Sequence, residues 1–155
     1  MSEKKILLIS QNKKAFHSFH IEKKLEAGIV LKGSEVKSCR EGKVQLVDSY
    51  ASFKQDEIFL VKAHISEFKQ GGPFYNHVPV RPRKLLLHKR EIAEIRSLME
   101  QKGYTLVPLK MYFSKGKAKI ELGLAKGKSH SDKRQSVKSK EEDRKMAQAM
   151  KRDRK

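Results

Sequence analysis

Three sets of residues in this chain have types and spacings that could do chemistry. Gly123-x-x-x-Gly127-Lys128-Ser129 looks like a phosphate loop, in which backbone N–H groups cradle phosphates while the lysine and serine reach the terminal group. His17-x-x-His20 offers two imidazoles, and Cys39 is the only thiol. Each reading weakens in context. A phosphate loop reads G-x-x-x-x-G-K-[ST] and joins a buried strand to a packed helix. Here the gap between the glycines is one residue short, and "HSDKRQSVKSK" after Ser129 cannot form the inner face of a packed helix. The histidine pair lacks a cysteine or carboxylate at zinc spacing. A lone cysteine makes no intramolecular disulfide, so it reads as a buried or half-buried residue of a cytosolic chain. No G-x-S-x-G elbow and no H-E-x-x-H appears. The expectation is a protein that is not an enzyme and holds no cofactor or metal.

The cations carry more information. Lys and Arg number 36 against 18 Asp and Glu, a formal net charge of +18 in 155 residues. That balance selects a polyanionic partner, nucleic acid before an anionic membrane. Two stretches pair cations with rings, "NKKAFH" (Asn12, Lys13, Lys14, then Phe16 and His17) and "VRPRKLLLHKR" (with Arg81, Arg83, Lys84 and Leu86). Guanidinium forks clamp phosphates, and an unpaired base can lie on Phe, Tyr or His. The apolar run Ile6 to Ile9 is too short for a signal core of roughly 7–15 residues or a span of about 20. No membrane partner is expected.

The elements that must position these residues are mostly strands. "FHIEKKLEAGIVL" alternates with period two, which puts Phe19, Ile21, Leu25, Ala27, Ile29 and Leu31 on one face, with a bend expected at Gly28. Val44 to Phe53 and Ile58 to Ile65 read as two further strands separated by a polar turn. Tyr104 to Phe113 and Ala118 to Leu124 flank a hairpin loop at Ser114-Lys115-Gly116. A short helix is expected over Ser34 to Arg40 with Ser34 as N-cap, and a longer one from about His88 to Lys102, stopped by Gly103. Glu67 to Arg83 holds three of the four prolines and should be irregular. Five or six antiparallel strands with two or three short helices suggest a mainly β chain, with an oligonucleotide-binding-like barrel among the candidates.

Beyond Leu124 the pattern changes. Residues 126–155 carry 12 basic and 5 acidic side chains and almost nothing apolar. Such a segment cannot bury enough surface to offset its ordering entropy, so residues 1–128 read as the folded domain and 129–155 as a tail disordered in the free protein. The tail still has helix grammar. Ser139-x-x-Glu142 fits a capping box, Glu141 and Lys145 form an i, i+4 pair, and Lys151 to Lys155 suit a helix C-terminus. A polyanionic groove could supply what that helix lacks. Charge and fold alone leave open a ribosomal component, or an enzyme acting on RNA, although no site for the latter is visible.

The stretches "NKKAFHSFHIEKKLEAGIVLKGSEVKSCREGKVQLVDSYA", "YNHVPVRPRKLLLHKREI", "GYTLVPLKMYFSKGKAKIELGLAKGK" and "DKR" resemble, in order and spacing, the SmpB family of SsrA-binding proteins. The resemblance implies a bacterial cytosolic RNA-binding protein with an oligonucleotide-binding-like barrel and about three short helices. It implies that the chain binds the tRNA-like domain of transfer-messenger RNA and delivers it to stalled ribosomes in trans-translation, its tail entering the empty messenger channel as a helix. A monomer is expected. Carried over by position, the RNA face includes Asn12, Lys13, Glu26, Arg83, Lys84 and Leu86, to which the two basic stretches add Lys14 and Arg81. An acidic residue such as Glu26 cannot serve phosphate binding there. It must accept from base or 2′-OH donors, or orient a neighbouring cation. Gly127, Lys128, Asp132, Lys133 and Arg134 correspond to the family's decoding-centre contacts. Ser129 and Ser131 depart from the family pattern, in which a second lysine and an aromatic are usual. The segment at Glu67-Phe68 lacks the usual Pro-Tyr, and the loop after it is slightly longer.

Overall fold

A strand is stable only where the backbone groups along its edges find partners, and following those partners gives the architecture. The computed structural model describes residues 6–128 together with Arg144. Nine strands appear among them: β1 (Ile6–Gln11), β2 (Phe19–Ile29), β3 (Val44–Gln45), β4 (Tyr50–Lys54), β5 (Glu57–Val61), β6 (His64–Ile65), β7 (Arg83–Leu86), β8 (Thr105–Ser114) and β9 (Lys117–Gly127). All recorded pairings are antiparallel. From β8 the pairing path runs through β4, β5, β7 and β2 to β9, which pairs back with β8. Strand β1 is added on the same edge of β8 that meets β4, and β3 with β6 forms a separate ribbon. Four helices accompany them: α1 (Lys13–Ser18), α2 (Gly33–Arg40), α3 (Gly72–Tyr75) and α4 (Lys89–Lys102). The chain is mainly β, as its alternation predicts, with more and shorter elements than the alternation alone suggests.

The sequence pattern misleads at left-handed residues. The expected strand Val44 to Phe53 is two strands, because Asp48 takes φ 64° and Ser49 closes a turn onto the Leu46 carbonyl, its Oγ donating at 2.6 Å. Ile58 to Ile65 is likewise divided into β5 and β6, next to Lys62 at φ 67°. At the β8–β9 hairpin, Lys115 (φ 53°) and Gly116 (φ 75°) form a two-residue turn whose positive φ values match the right-handed twist of the strands it joins.

The single apolar face expected for β2 is also revised. Its register against β9 shifts between Ile21 and Lys23. Leu25, Ala27 and Ile29 face the main core, whereas Phe19 and Ile21 belong to a second cluster with Ala15, Val107, Leu109 and Ala125. A bulge adds one residue to one strand, and one residue reverses every side chain beyond it. In β8 a matching shift between Pro108 and Lys110 leaves Val107 and Leu109 in the second cluster and Leu106 and Met111 in the first. The sheet therefore buries both faces where α1 lies on it, and Asn12, Lys13 and Lys14 are held by that second cluster.

Helix α2 begins one residue earlier than expected, and Ser34 is not its cap. The Lys32 N–H donates to Glu35 Oε1 at 2.8 Å, while Ser34 Oγ meets His77 Nδ1 at 2.8 Å. Helix α4 follows His88 and stops at Gly103, φ 67° in the left-handed region, as expected. Its Ile95 is fully buried, with Leu98 and Met99 beside it. The loop expected to be irregular contains a 3-10 turn (Lys69–Gly71) and α3, and its last residue, Arg83, opens β7. The tail expectations for residues 129–143 and 145–155, including disorder and the capping box, lie outside the described residues.

Gly123 on β9 marks where α1's cluster is tightest. A Cβ there would sit 3.0 Å from Leu109 Cδ1 and 3.1 Å from Ile21 Cγ2. Gly123→Val should therefore lower the urea midpoint by the equivalent of about 1–3 kcal/mol with an unchanged m value. An unchanged midpoint would show that the cluster yields freely.

Candidate nucleic-acid interface

The exposed chemistry at the start of the domain is built on Asn12. Its backbone N–H donates to Leu109 O (2.7 Å), its Nδ2 donates to Pro108 O (2.9 Å) and Leu46 O (3.4 Å), and its Oδ1 accepts from Ala15 N–H (3.3 Å). With every side-chain polar atom engaged and only 4% exposure, Asn12 caps α1 and ties it to β8. Asn12 thus faces inward and positions Lys13 and Lys14, which are exposed. Lys14 Nζ lies 3.4 Å from Asp48 Oδ1, a solvated pair that a phosphate can displace. Lys24 of β2 sits over the Phe16 ring, 5.7 Å from its centroid, and so brings a third cation to α1.

Along the same outer face of β2 comes Glu26. It is exposed, and its Oε2 accepts from the hydroxyl of Tyr112. Tyr112 is 4% exposed, and its pKa is raised by burial and then by the Glu26 carboxylate, so it stays a donor. Glu26, expected either to accept from base or 2′-OH donors or to orient a neighbouring cation, is held in the structure by Tyr112. A buried phenol fixes one carboxylate oxygen, and the other is free to accept. Tyr112 escaped the sequence reading because the β8 bulge hides which face it takes; in the β2–β9–β8 register it lines up with Gly28 through Lys119, two residues along from Glu26. Next to Glu26, Gly28 pairs with Leu86, which is 52% exposed. Glu26, Gly28, Leu86, His88, Glu91 and Lys119 are among the residues lining a 370 Å³ hollow. Lys84 is half-buried with Nζ 3.1 Å from Glu57 Oε1.

The two arginines of "VRPRK" are not free to clamp phosphate. Arg83 is fully buried: Nε donates to Glu35 Oε2 (2.6 Å), Nη1 to Ala63 O (2.7 Å) and Nη2 to Pro79 O (2.9 Å). Arg81 holds the same carboxylate through Nε, 3.2 Å from each oxygen, and through Nη2. The expected direct contact at Arg83 gives way to a structural role, and Arg81 is half-buried beside it. Glu35 is the partner that sequence reading missed. It sits inside α2, where nothing in its spacing announces a distant arginine. Burial alone would raise its pKa, yet the hydrogen bonds from Arg81 and from the Lys32 N–H, with the charge of Arg83, hold it below the ordinary 4.5. Burial, and then the neighbouring Glu35 charge, pushes the Cys39 thiol up to about 12, which makes it inert.

The last described residues place the root of the tail. Gly127 pairs with Phe19 at the end of β9. Lys128 donates its N–H to Ser18 O (2.9 Å) and its Nζ to Phe16 O (3.1 Å), so the Gly-Lys pair is docked on α1 rather than on a phosphate. Asp132, Lys133 and Arg134 lie outside the described residues. No cluster of three or more His, Cys, Asp or Glu able to hold a metal occurs among the described residues. Among them, too, no helix is long and apolar enough to cross a membrane.

Comparison with known proteins gives one answer. The family model described as SmpB protein matches residues 9–152. An SsrA-binding protein of Symbiobacterium thermophilum is 54% identical over 143 residues, 92% of this chain and 90% of its own. That of Geobacter sulfurreducens is 54% identical over 143 residues, covering 92% and 93%. A solved structure described as "tmRNA-SmpB: a journey to the center of the bacterial ribosome" superposes with a TM-score of 0.66 at 46% identity, over 83% of this chain and 93% of that one.

The Glu35 pair makes a testable statement about pH. A carboxyl held below its unfolded value contributes stability that is complete above about 4.5 and is lost as pH falls through the lower folded value. Glu35→Gln should lower the unfolding free energy at neutral pH by about 3–5 kcal/mol, because it leaves two guanidinium groups without their counter-charge. The variant should also show a shallower loss below pH ~4.5 than the wild type. Parallel acid curves for the two proteins would show that the pair contributes nothing.

Proposed function

The chain belongs to the SmpB family, and on that premise we propose that it binds the tRNA-like domain of transfer-messenger RNA and delivers it to stalled ribosomes in trans-translation. The observation that carries this reading is the outer face of β2 with α1. Lys13, Lys14 and Lys24 supply charge there, while Glu26, fixed by Tyr112, supplies an acceptor that no phosphate would tolerate. Cations alone would hold any RNA. A fixed acceptor beside exposed Leu86 selects base edges or 2′-hydroxyls and a shape. The strand path that returns to β8 is read as an oligonucleotide-binding-like barrel, with residues 1–128 as the RNA-binding domain and 129–155 as the ribosome-facing tail. Gly127, Lys128, Asp132, Lys133 and Arg134 are assigned to the decoding centre and the empty messenger channel. The protein acts as a monomeric, non-enzymatic factor in the bacterial cytoplasm.

The test is a salt titration of binding to the tRNA-like fragment with bulk tRNA as competitor, for the full chain and for a truncation after Lys128. Log K should fall with log salt for any RNA, by about 0.7–0.9 per phosphate contact. A fragment preference of tens of times that survives high salt and truncation is expected. A preference that vanishes with salt would leave only the +18 charge as the cause of binding. Lys13→Ala and Lys14→Ala should each flatten the slope by roughly 0.7–0.9. Replacing Lys133 and Arg134 together by alanine should abolish tagging on stalled ribosomes while RNA affinity stays within a few-fold. A fall of about a hundredfold in RNA affinity, worth ~2.7 kcal/mol, would break the division between domain and tail.

A further inference from the structure

Phe74 stands on α3 with its whole side chain in water, 102% exposed. A single exposed apolar residue is ordinary, but this one is presented by a built platform. Asn76 closes the loop beneath it: Oδ1 accepts from Phe68 N–H (2.7 Å), and Nδ2 donates to Phe68 O (2.9 Å) and Gly72 O (2.7 Å). His77 pins the next residue. Its Nε2 donates to Ile65 O (2.8 Å), and its Nδ1 lies 2.8 Å from the Ser34 hydroxyl oxygen. Tyr75 fits against two glycines, where a Cβ on Gly33 or Gly71 would lie 2.7 Å from its ring atoms or hydroxyl. Lys37 Nζ is held between rings, 4.9 Å from the Tyr75 centroid and 5.2 Å from that of Phe68.

The charge around this ring decides its partner. The exposed charged side chains of α2 and its N-cap are cationic (Lys32, Lys37, Arg40) and Lys69 adds another; of the acids nearby, Glu35 is buried on two arginines, Glu41 at the C-cap is paired with Lys43, and Glu67 beside Phe68 is exposed. Lysines are depleted at the centre of protein–protein contacts. An aromatic set among cations is the pattern that stacks an unpaired base while the charges follow its backbone. Helix α3 packs on α2 and Phe68, whereas α1 packs on β2 and β8. A factor that carries one RNA to another can meet the second with its domain as well as with its tail. We propose that Phe74 is a stacking platform for an unpaired base of ribosomal RNA, distinct from the α1–β2 face, and the proposal rests on the RNA-binding reading above.

The chain contains no tryptophan, so Phe74→Trp in the full chain installs a single reporter. Its emission should be quenched by purified ribosomes and unchanged by the tRNA-like fragment. Phe74→Leu and Phe74→Ala should each weaken ribosome binding roughly tenfold, Phe74→Tyr should retain it, and none should alter fragment binding. Because the side chain is fully exposed, none of these variants threatens the fold. Full affinity in Phe74→Leu would mean an apolar protein contact and would overturn the proposal. Quenching by the fragment would assign the base to the delivered RNA, and unchanged binding of Phe74→Ala would remove the site; either result sinks the proposal. Loss of fragment selectivity in the salt titration would instead sink the function reading, and the quench by ribosomes would still be readable.

Discussion

A guanidinium in the interior must be matched on every side or the chain will not close over it, and Arg83 sets that condition for this molecule. Its three nitrogens are met by Glu35 from α2 and by carbonyls of Ala63 and Pro79 from two separate loops. Desolvation of such a charge costs several kcal/mol, which only geometry of this kind offsets. The consequence is positional. Satisfying Arg83 brings α2, the segment around β6 and the start of β7 to one place, and the loop that carries α3 is strung between the last two. A charge that looks in sequence like one more phosphate clamp is the fastening of one side of the fold.

The other side depends on strand register. Bulges in β2 and β8 sit where α1 lies, and together they turn a one-sided sheet into one that is apolar on both faces locally. This gives α1, only six residues long, a surface to bind. So short a helix has no stability of its own, and Asn12 with the second cluster supplies what its hydrogen bonds cannot. The lysines displayed there are therefore held by packing laid down in strands more than ninety residues away in sequence, as the Asn12–Pro108 contact illustrates.

Much of this was legible from residue order alone. The β8–β9 hairpin, the long helix ended by Gly103 and the alternation of Leu25, Ala27 and Ile29 follow from local rules that tertiary contacts do not overturn. Phe19 and Ile21 were misread because alternation is blind to an inserted residue, and Asp48 and Lys62 because a left-handed residue without glycine leaves no local mark. Of the residues proposed for the RNA face, Lys13, Lys14, Glu26 and Leu86 are exposed, whereas Asn12 and Arg83 turn inward. Residue type cannot tell a guanidinium that meets solvent from one that meets a carboxylate 48 positions away. Glu35 and Tyr112 were invisible for the same reason, since their partners are made only by folding.

Lys128 ties the end of β9 to α1. Its backbone continues the β2–β9 ladder to Ser18, and its ammonium rests on the Phe16 carbonyl near the end of α1. Lys128 is thereby moored to the helix that displays Lys13 and Lys14, so a load that shifts α1 carries the end of β9 with it.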